Sequence, residues 1–130
     1  MIEDDQAKPD VDHFLKDQID TVPHLEALLL LWNSRPKPWS AQEMAKDLYL
    51  TPEAARDILD DLVRRRLIQP VSPGAQTYRY EPEPSQDQLM AALDSTYRRE
   101  LIRITRLIHS KPSAAIRAFA RAFRIKQDRD

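Results

Sequence analysis

The sequence predicts a mainly α-helical protein with one small β-hairpin and a helical C-terminal extension. Three observations carry that reading. Apolar residues recur at helical spacing through most of the chain. Helix-start signals stand at Thr21, at Ser40-Ala-Gln-Glu43, at Thr51-Pro52 and at Ser85-Gln-Asp-Gln88. The stretch with strand character, 67–80, encloses Gly74, the single glycine of the chain. These signals divide the sequence into three: an acidic tail and short helix over 1–20, a helix-and-hairpin domain over 21–84, and a long helix followed by a basic amphipathic helix over 85–130.

Residues 1–9 are acidic and polar and read as a frayed tail. Val11, Phe14, Leu15 and Ile19 then form a short helical stripe ending near Asp20. Thr21 caps the next helix, with Pro23 tolerated in its first turn. Leu25, Leu28, Leu29 and Trp32 line one side of it, and Leu30 and Leu31 widen the stripe, so more than one side is buried. Pro36 and Pro38 end it. Ser40 and Glu43 form a capping box, in which each side chain satisfies an orphan backbone N–H. The short helix that follows shows Met44, Ala45 and Leu48 inward. Thr51-Pro52-Glu53 opens the next helix, expected over Thr51–Arg66: Thr as cap, Pro in the first turn, an acid at the positive end of the helix dipole. Ala55, Ile58, Leu59, Leu62 and Val63 face inward.

Leu67–Val71 and Thr77–Tyr80 read as two short strands joined by Ser72-Pro-Gly-Ala-Gln76. A hairpin this small must lean on helices. Glu81-Pro-Glu-Pro84 is a stiff connector. Ser85 and Gln88 make a second capping box. Beyond them Leu89, Leu93, Tyr97, Leu101, Ile104 and Ile108 align along one helix. Ser110-Lys-Pro-Ser113 breaks it, and Ile116, Phe119, Ala120 and Phe123 mark a final helix.

Composition narrows the function classes. At 130 residues, with 42% hydrophobic and 32% charged, the chain has one ordinary core and a heavily solvated surface. It has no cysteine, which excludes disulfides, thiol catalysis and thiolate metal sites. The start Met-Ile-Glu-Asp-Asp opposes the basic region of a secretion signal. The longest apolar run, Ala27 to Trp32, falls far short of the roughly 20 residues that span a bilayer. A soluble, cytoplasmic protein is expected, with a membrane an unfavoured partner.

Net charge is −1 but segregated. Through Tyr97 there are 10 basic and 18 acidic residues, a balance of −8; from Arg98 onward 10 and 3, a balance of +7. Such asymmetry points to an anionic partner for one end, to contact between the ends, or simply to solvated faces on two helical regions.

Helix, tight turn at Tyr49-Leu50, longer helix and hairpin, in that order from Ser40 to Tyr80, make a helix-turn-helix followed by a wing. The string from Glu43 to Ile68 resembles the bacterial winged helix-turn-helix regulators of MarR and PadR type. It has a small residue at Ala45, apolar residues at Leu48, Leu50, Ile58 and Leu62, and Leu67-Ile68 opening the first wing strand. The resemblance covers residues 40–80. It implies a DNA-binding transcriptional regulator in a bacterial cytoplasm, with the helix at Thr51–Arg66 presented to double-stranded DNA. Two positions depart from the pattern: those families usually carry glycine where Tyr49 and Arg66 stand.

The residues placed to meet DNA are Thr51, Glu53, Arg56, Asp57, Arg64, Arg65 and Arg79. Their charge is unusual. The outward positions Glu53, Ala54, Arg56, Asp57, Asp60 and Asp61 hold four carboxylates and one arginine. Affinity for DNA comes largely from cations neutralising phosphates, so this helix starts at a deficit. An interaction adaptor, with the acidic helix turned toward a basic protein, is therefore the competing reading. A third is an anionic-surface binder acting through Arg117, Arg121 and Arg124 on the final helix, within a basic amphipathic pattern that includes Phe119 and Phe123. Packing of those phenylalanines on the core or on a second subunit explains the same pattern. The stripe from Leu89 to Ile108 is longer than one small domain needs and predicts a homodimer through residues 89–108.

No catalytic residue, metal site or cofactor is expected. His13, His24 and His109 lack metal-ligand spacing. A single glycine rules out a glycine-rich phosphate loop. Asp57, Asp60 and Asp61 fan around a solvent face. Trp32 and Trp39 belong to the core, although Trp39 also suits the wall of a small pocket.

Overall fold

The computed structural model describes residues 2–80 and 84–111, with the side chains of 10–80 and 86–111. In chain order these form α1 (Ile2–Gln18), α2 (Val22–Asn33), β1 (Trp39–Ser40), α3 (Ala41–Leu48), α4 (Pro52–Arg64), β2 (Gln69–Pro70), β3 (Thr77–Arg79), α5 (Pro84–Arg99) and α6 (Leu101–His109). The class is the one expected, mainly helical with a small antiparallel sheet. No described helix is long and apolar enough to cross a membrane.

The helix starts follow their local signals. Thr21 accepts the His24 backbone N–H at 3.3 Å. Ser40 Oγ accepts from Glu43 N at 3.1 Å while Glu43 Oε1 accepts from Ser40 N at 3.0 Å, a complete capping box. Thr51 Oγ1 accepts from Ala54 N at 3.1 Å.

Two helix ends use a left-handed residue that is not glycine. Tyr49 has φ 58° and Arg66 φ 61°, the two positions where the sequence lacks the expected glycine. In each case the next N–H closes the helix: Leu50 N donates to Ala45 O at 2.8 Å and Leu67 N to Leu62 O at 2.9 Å. Leu67 is buried behind that closure. The left-handed conformation costs a side-chain-bearing residue about 1–2 kcal/mol.

The core is one cluster. Val11, Leu15 and Ile19 of the α1 region meet Leu25, Leu28 and Leu31 of α2, Met44 of α3, Leu59 and Leu62 of α4, and Met90, Leu93, Ile104 and Ile108 of α5 and α6. Complete burial of a leucine side chain stabilises by about 1.5–3 kcal/mol.

Several sequence expectations are corrected. Residues 2–9, expected as a frayed tail, belong to α1. The hairpin gains a third strand: the sheet order is β1-β3-β2, with Trp39 opposite Tyr78 and Ser40 opposite Thr77. Trp39 is buried, its indole N–H donating to Ser34 Oγ at 2.9 Å. The single long helix after Ser85 is two helices. The first opens at Pro84, one residue before the expected cap, and the chain breaks at Glu100, where φ is −127° and ψ 45°.

Contacts between α6 and α1 accompany the break. Arg103 bonds Glu100 at 2.8 Å and Asp12 of α1 at 3.0 Å, and Ile104 and Ile108 on the same helix are buried in the core. Arg103, one of the basic residues beyond Arg98, is thus half-buried and paired. Leu101, on the stripe expected to pair with a second subunit, is 51% exposed beside Ile102 at 67%. The final helix expected from Ser113, with Arg117, Arg121 and Arg124, lies outside the described residues, as does most of the connector.

Candidate nucleic-acid interface

The helical spacing of α4 sorts its residues into two faces. Ala55, Ile58, Leu59 and Leu62 are buried. Glu53, Arg56, Asp57, Asp60 and Arg64 are exposed, with Thr51 capping the helix from its exposed N-terminus. Two shallow clefts flank the exposed row. One, about 260 Å³, is lined by Ala41, Gln42, Arg56, Asp60, Gln76 and Tyr78. The other, about 280 Å³, is lined by Ala41, Gln42, Pro52, Glu53, Arg56 and Asp57. Arg56 and the start of α3 border both, and the wing closes the first through Gln76 and Tyr78.

Among the described residues, Glu53, Arg56, Asp57 and Asp60 make no hydrogen bond or ion pair. Their charge, three carboxylates against one guanidinium, sums to −2. The row contributes nothing visible to the fold beyond the place of Glu53 at the positive end of the helix dipole. Glu43 differs: its bonds to the Ser40 backbone and hydroxyl hold its carboxyl below the usual carboxylate range, and its role is capping.

The other residues placed at the site by the sequence go elsewhere. Asp61, expected to point outward, is only 17% exposed. It accepts from His24 Nε2 at 3.0 Å and pairs with Arg64. Asp61 is an acceptor when ionised, so Nε2 carries the imidazole proton. Nδ1 then accepts from the Thr21 hydroxyl at 2.6 Å, leaving Thr21 Oγ1 free to accept the His24 backbone N–H. Burial holds the His24 pKa below the ordinary histidine range; Asp20 pulls it up, while Arg65 and Lys111 push it further down.

Arg65 turns toward the N-terminal helix, bonding Asp20 at 3.1 Å and the Asp17 carbonyl at 3.2 Å. Arg64, 75% exposed, stays at the surface beside Asp61. Arg79 is half-buried on β3, in register with Gln69.

The residues brought together are thus Thr51, Glu53, Arg56 and Asp57, joined by Asp60. Arg64 sits at the far end of the helix. The sequence did not single out Gln42, Gln76 and Tyr78. Gln42 follows the Ser40 cap at an exposed position of the first turn, a signal that was present. Nothing local marks Gln76 or Tyr78 as facing α4, because that meeting depends on how the sheet folds back.

The chain matches no protein-family model and no curated protein. It does match solved structures across nearly its whole length. MepR of Staphylococcus aureus, a transcription regulator of the multidrug efflux pump MepA, aligns with TM-score 0.51 at 18% identity, covering 97% of this chain and 90% of that one. A point mutant of MepR bound to an oligodeoxyribonucleotide aligns at TM-score 0.50 and 18% identity over the same shares. A MarR family protein from Bacillus stearothermophilus aligns at TM-score 0.48 and 17% identity, over 95% of this chain and 84% of that one. At these identities the likeness is one of fold: the winged-helix arrangement expected for residues 40–80 is present and set within similar helices.

Proposed function

We propose that this protein binds double-stranded DNA as a winged-helix transcriptional regulator in a bacterial cytoplasm, presenting α4 to the major groove. The observation that carries the reading is the outer face of α4. It holds a row of unpaired polar side chains between the start of α3 and the wing, on a fold that in MepR accompanies DNA binding. Recognition helices of this class enter the groove with their N-terminal half. Here that half holds Thr51, Glu53, Arg56 and Asp57. Arg64 and Arg79 are assigned to phosphates, where cations position a protein without reading sequence. Arg65, tied to Asp20, supports the helix from behind.

The active species in this reading is a two-fold homodimer formed through residues 89–108. The exposed pair Leu101 and Ile102, side by side at the turn between α5 and α6, supports it. Analytical ultracentrifugation at micromolar concentration is expected to give a dimer; a clean monomer removes this part of the proposal.

Labelled fragments of the source genome, titrated at low salt, test the whole. Binding is expected to weaken with a log–log salt slope of about 0.9 per phosphate neutralised. The acidic row favours one competing reading, an adaptor that captures a basic protein. Asp57→Asn and Asp60→Asn separate the two: for a regulator they raise nonspecific DNA affinity, for an adaptor they abolish capture of the basic partner. No DNA binding by wild type or either variant favours the adaptor.

A further inference from the structure

The acidic row does not merely tolerate DNA. Resting on the DNA-binding reading, we propose that Asp57 and Asp60 determine sequence specificity by accepting hydrogen bonds from the exocyclic amino group of cytosine, with Arg56, which borders the clefts of both, directed at guanine.

The argument begins with what these carboxylates do not do. Thr51 already caps α4, and neither Asp57 nor Asp60 bonds another described group. Arg56 and Asp60 stand at i and i+4, where a helix brings side chains together, yet no ion pair forms between them. Arginine N-terminal to an acid is the weaker order for such a pair. All three heads are left available at the clefts: Arg56 and Asp60 at the one beside the wing, Arg56 and Asp57 at the one beside Pro52.

The chemistry of the major groove then selects their target. An ionised carboxylate only accepts hydrogen bonds. Guanine presents N7 and O6, both acceptors, and thymine presents O4 and a methyl group, so a carboxylate is repelled or unsatisfied at either. Adenine offers the N6 amino group next to the N7 acceptor, which opposes a second carboxylate oxygen. Cytosine offers the N4 amino group with no acceptor beside it. Cytosine is therefore the base edge that suits an aspartate, while Arg56 bonds guanine O6 and N7 in bidentate fashion. Arginine and aspartate in adjacent positions then match a core rich in G·C pairs.

The same carboxylates raise discrimination in a second way. In registers that set them against phosphate, guanine or thymine they face acceptors, so those mismatched complexes are penalised as well as unrewarded. A row of four residues with net charge −2 holds poorly to random DNA and depends on the right bases.

The test is a selection from a random duplex pool at low salt, using the full-length wild type, Asp57→Asn and Asp60→Asn. Both positions are exposed, so the folded state is kept, and matched thermal melts verify that. The wild type is expected to enrich cytosine at defined positions. Each Asn variant is expected to move one of those positions from cytosine to adenine, because Asn bonds adenine N6 and N7 together. In competition titrations the wild type should favour the cytosine duplex over its single-pair adenine counterpart by roughly 5- to 150-fold, and the cognate Asn variant should reverse the order. Enrichment of identical sequences by all three proteins overturns this inference and leaves the DNA-binding reading standing. A pool that none of them enriches overturns both.

Discussion

The inner end of α4 and its outer face carry similar side chains and handle them in opposite ways. At the inner end Arg65 meets Asp20, Asp61 meets His24, and Lys111, arriving from the far side of the chain, donates to the carbonyls of Leu15 and Ile19 at the end of α1. On the outer face Glu53, Arg56, Asp57 and Asp60 meet no described group. Charges that hold the frame are matched within it, so the unmatched ones are those available for a partner. Residue type alone does not separate Arg65 from Arg56; the end to which each is attached does.

The comparison breaks most completely through the core behind both faces. Leu62 is fully buried, and Leu62→Ala is expected to cost about 2–5 kcal/mol, read as a fall in the urea midpoint. A loss below about 1 kcal/mol would mean that α4 is not seated as described.

Next in size is the contrast between the two arginines. Arg65→Ala removes a partly buried, charge-assisted pair, its side chain 25% exposed, and should lower stability by about 1–2 kcal/mol. Arg56→Ala should change stability by less than about 0.5 kcal/mol while weakening DNA binding by about 1–3 kcal/mol. Equal effects of the two substitutions on stability would erase the distinction between inner end and outer face.

A smaller effect, of opposite sign, is expected at the turn. Tyr49 is 95% exposed and left-handed, so Tyr49→Gly gives up almost no burial. Relief of about 1–2 kcal/mol of strain is partly offset by the freedom glycine adds to the unfolded chain, about 0.5–1 kcal/mol. A net gain of about 0.5–1 kcal/mol should appear as a higher melting temperature.

The last prediction concerns slope. The folded chain holds the His24 pKa below that of the unfolded chain, so on acidification the unfolded chain takes up this proton first. Its contribution is complete above the unfolded value, about 6.5, and is lost as the pH falls from there toward the folded pKa. Urea midpoints at about pH 7.5 and about pH 5.5 should therefore differ more for the wild type than for His24→Gln. A His24→Gln protein with the same slope would show that the proton is taken up elsewhere.

How far the sequence foretold this arrangement depends on the range of each interaction. Caps at Thr21, Ser40 and Thr51 involve neighbours within one turn, and their signals are local. The positive φ of Tyr49 and Arg66 was legible as well, because both stand where the resembling families use glycine. The joint between His24 and Asp61 was not. It spans distant parts of the chain, and Asp61 stands one position from Leu62, at the edge of the buried stripe, where spacing alone does not decide inside from outside. The break at Glu100 was hidden for a similar reason. Leu101 continues the apolar period, and what meets α6 beyond the turn, Asp12 of α1 at Arg103, is far away in the sequence. Strand β1 was missed because two residues show no alternation and Ser40 already had a reading as a cap. At the candidate site, the exposed acids were legible from helical spacing, whereas their placement beside Gln76 and Tyr78 required the sheet.

That third strand has a consequence for how the molecule opens. Pairing of Trp39 with Tyr78 ties the segment before α3 to the segment after the wing turn, so the chain between them is a closed loop held at its base. The wing is then no flap that lifts by itself. To release β3 the chain must also let go of the strand that leads into α3, and the two helices share the cost of that opening. Amides of α3, of α4 and of the sheet should thus exchange with solvent as one cooperative unit, with the loop from Ser72 to Gln76 opening alone and at far lower free energy.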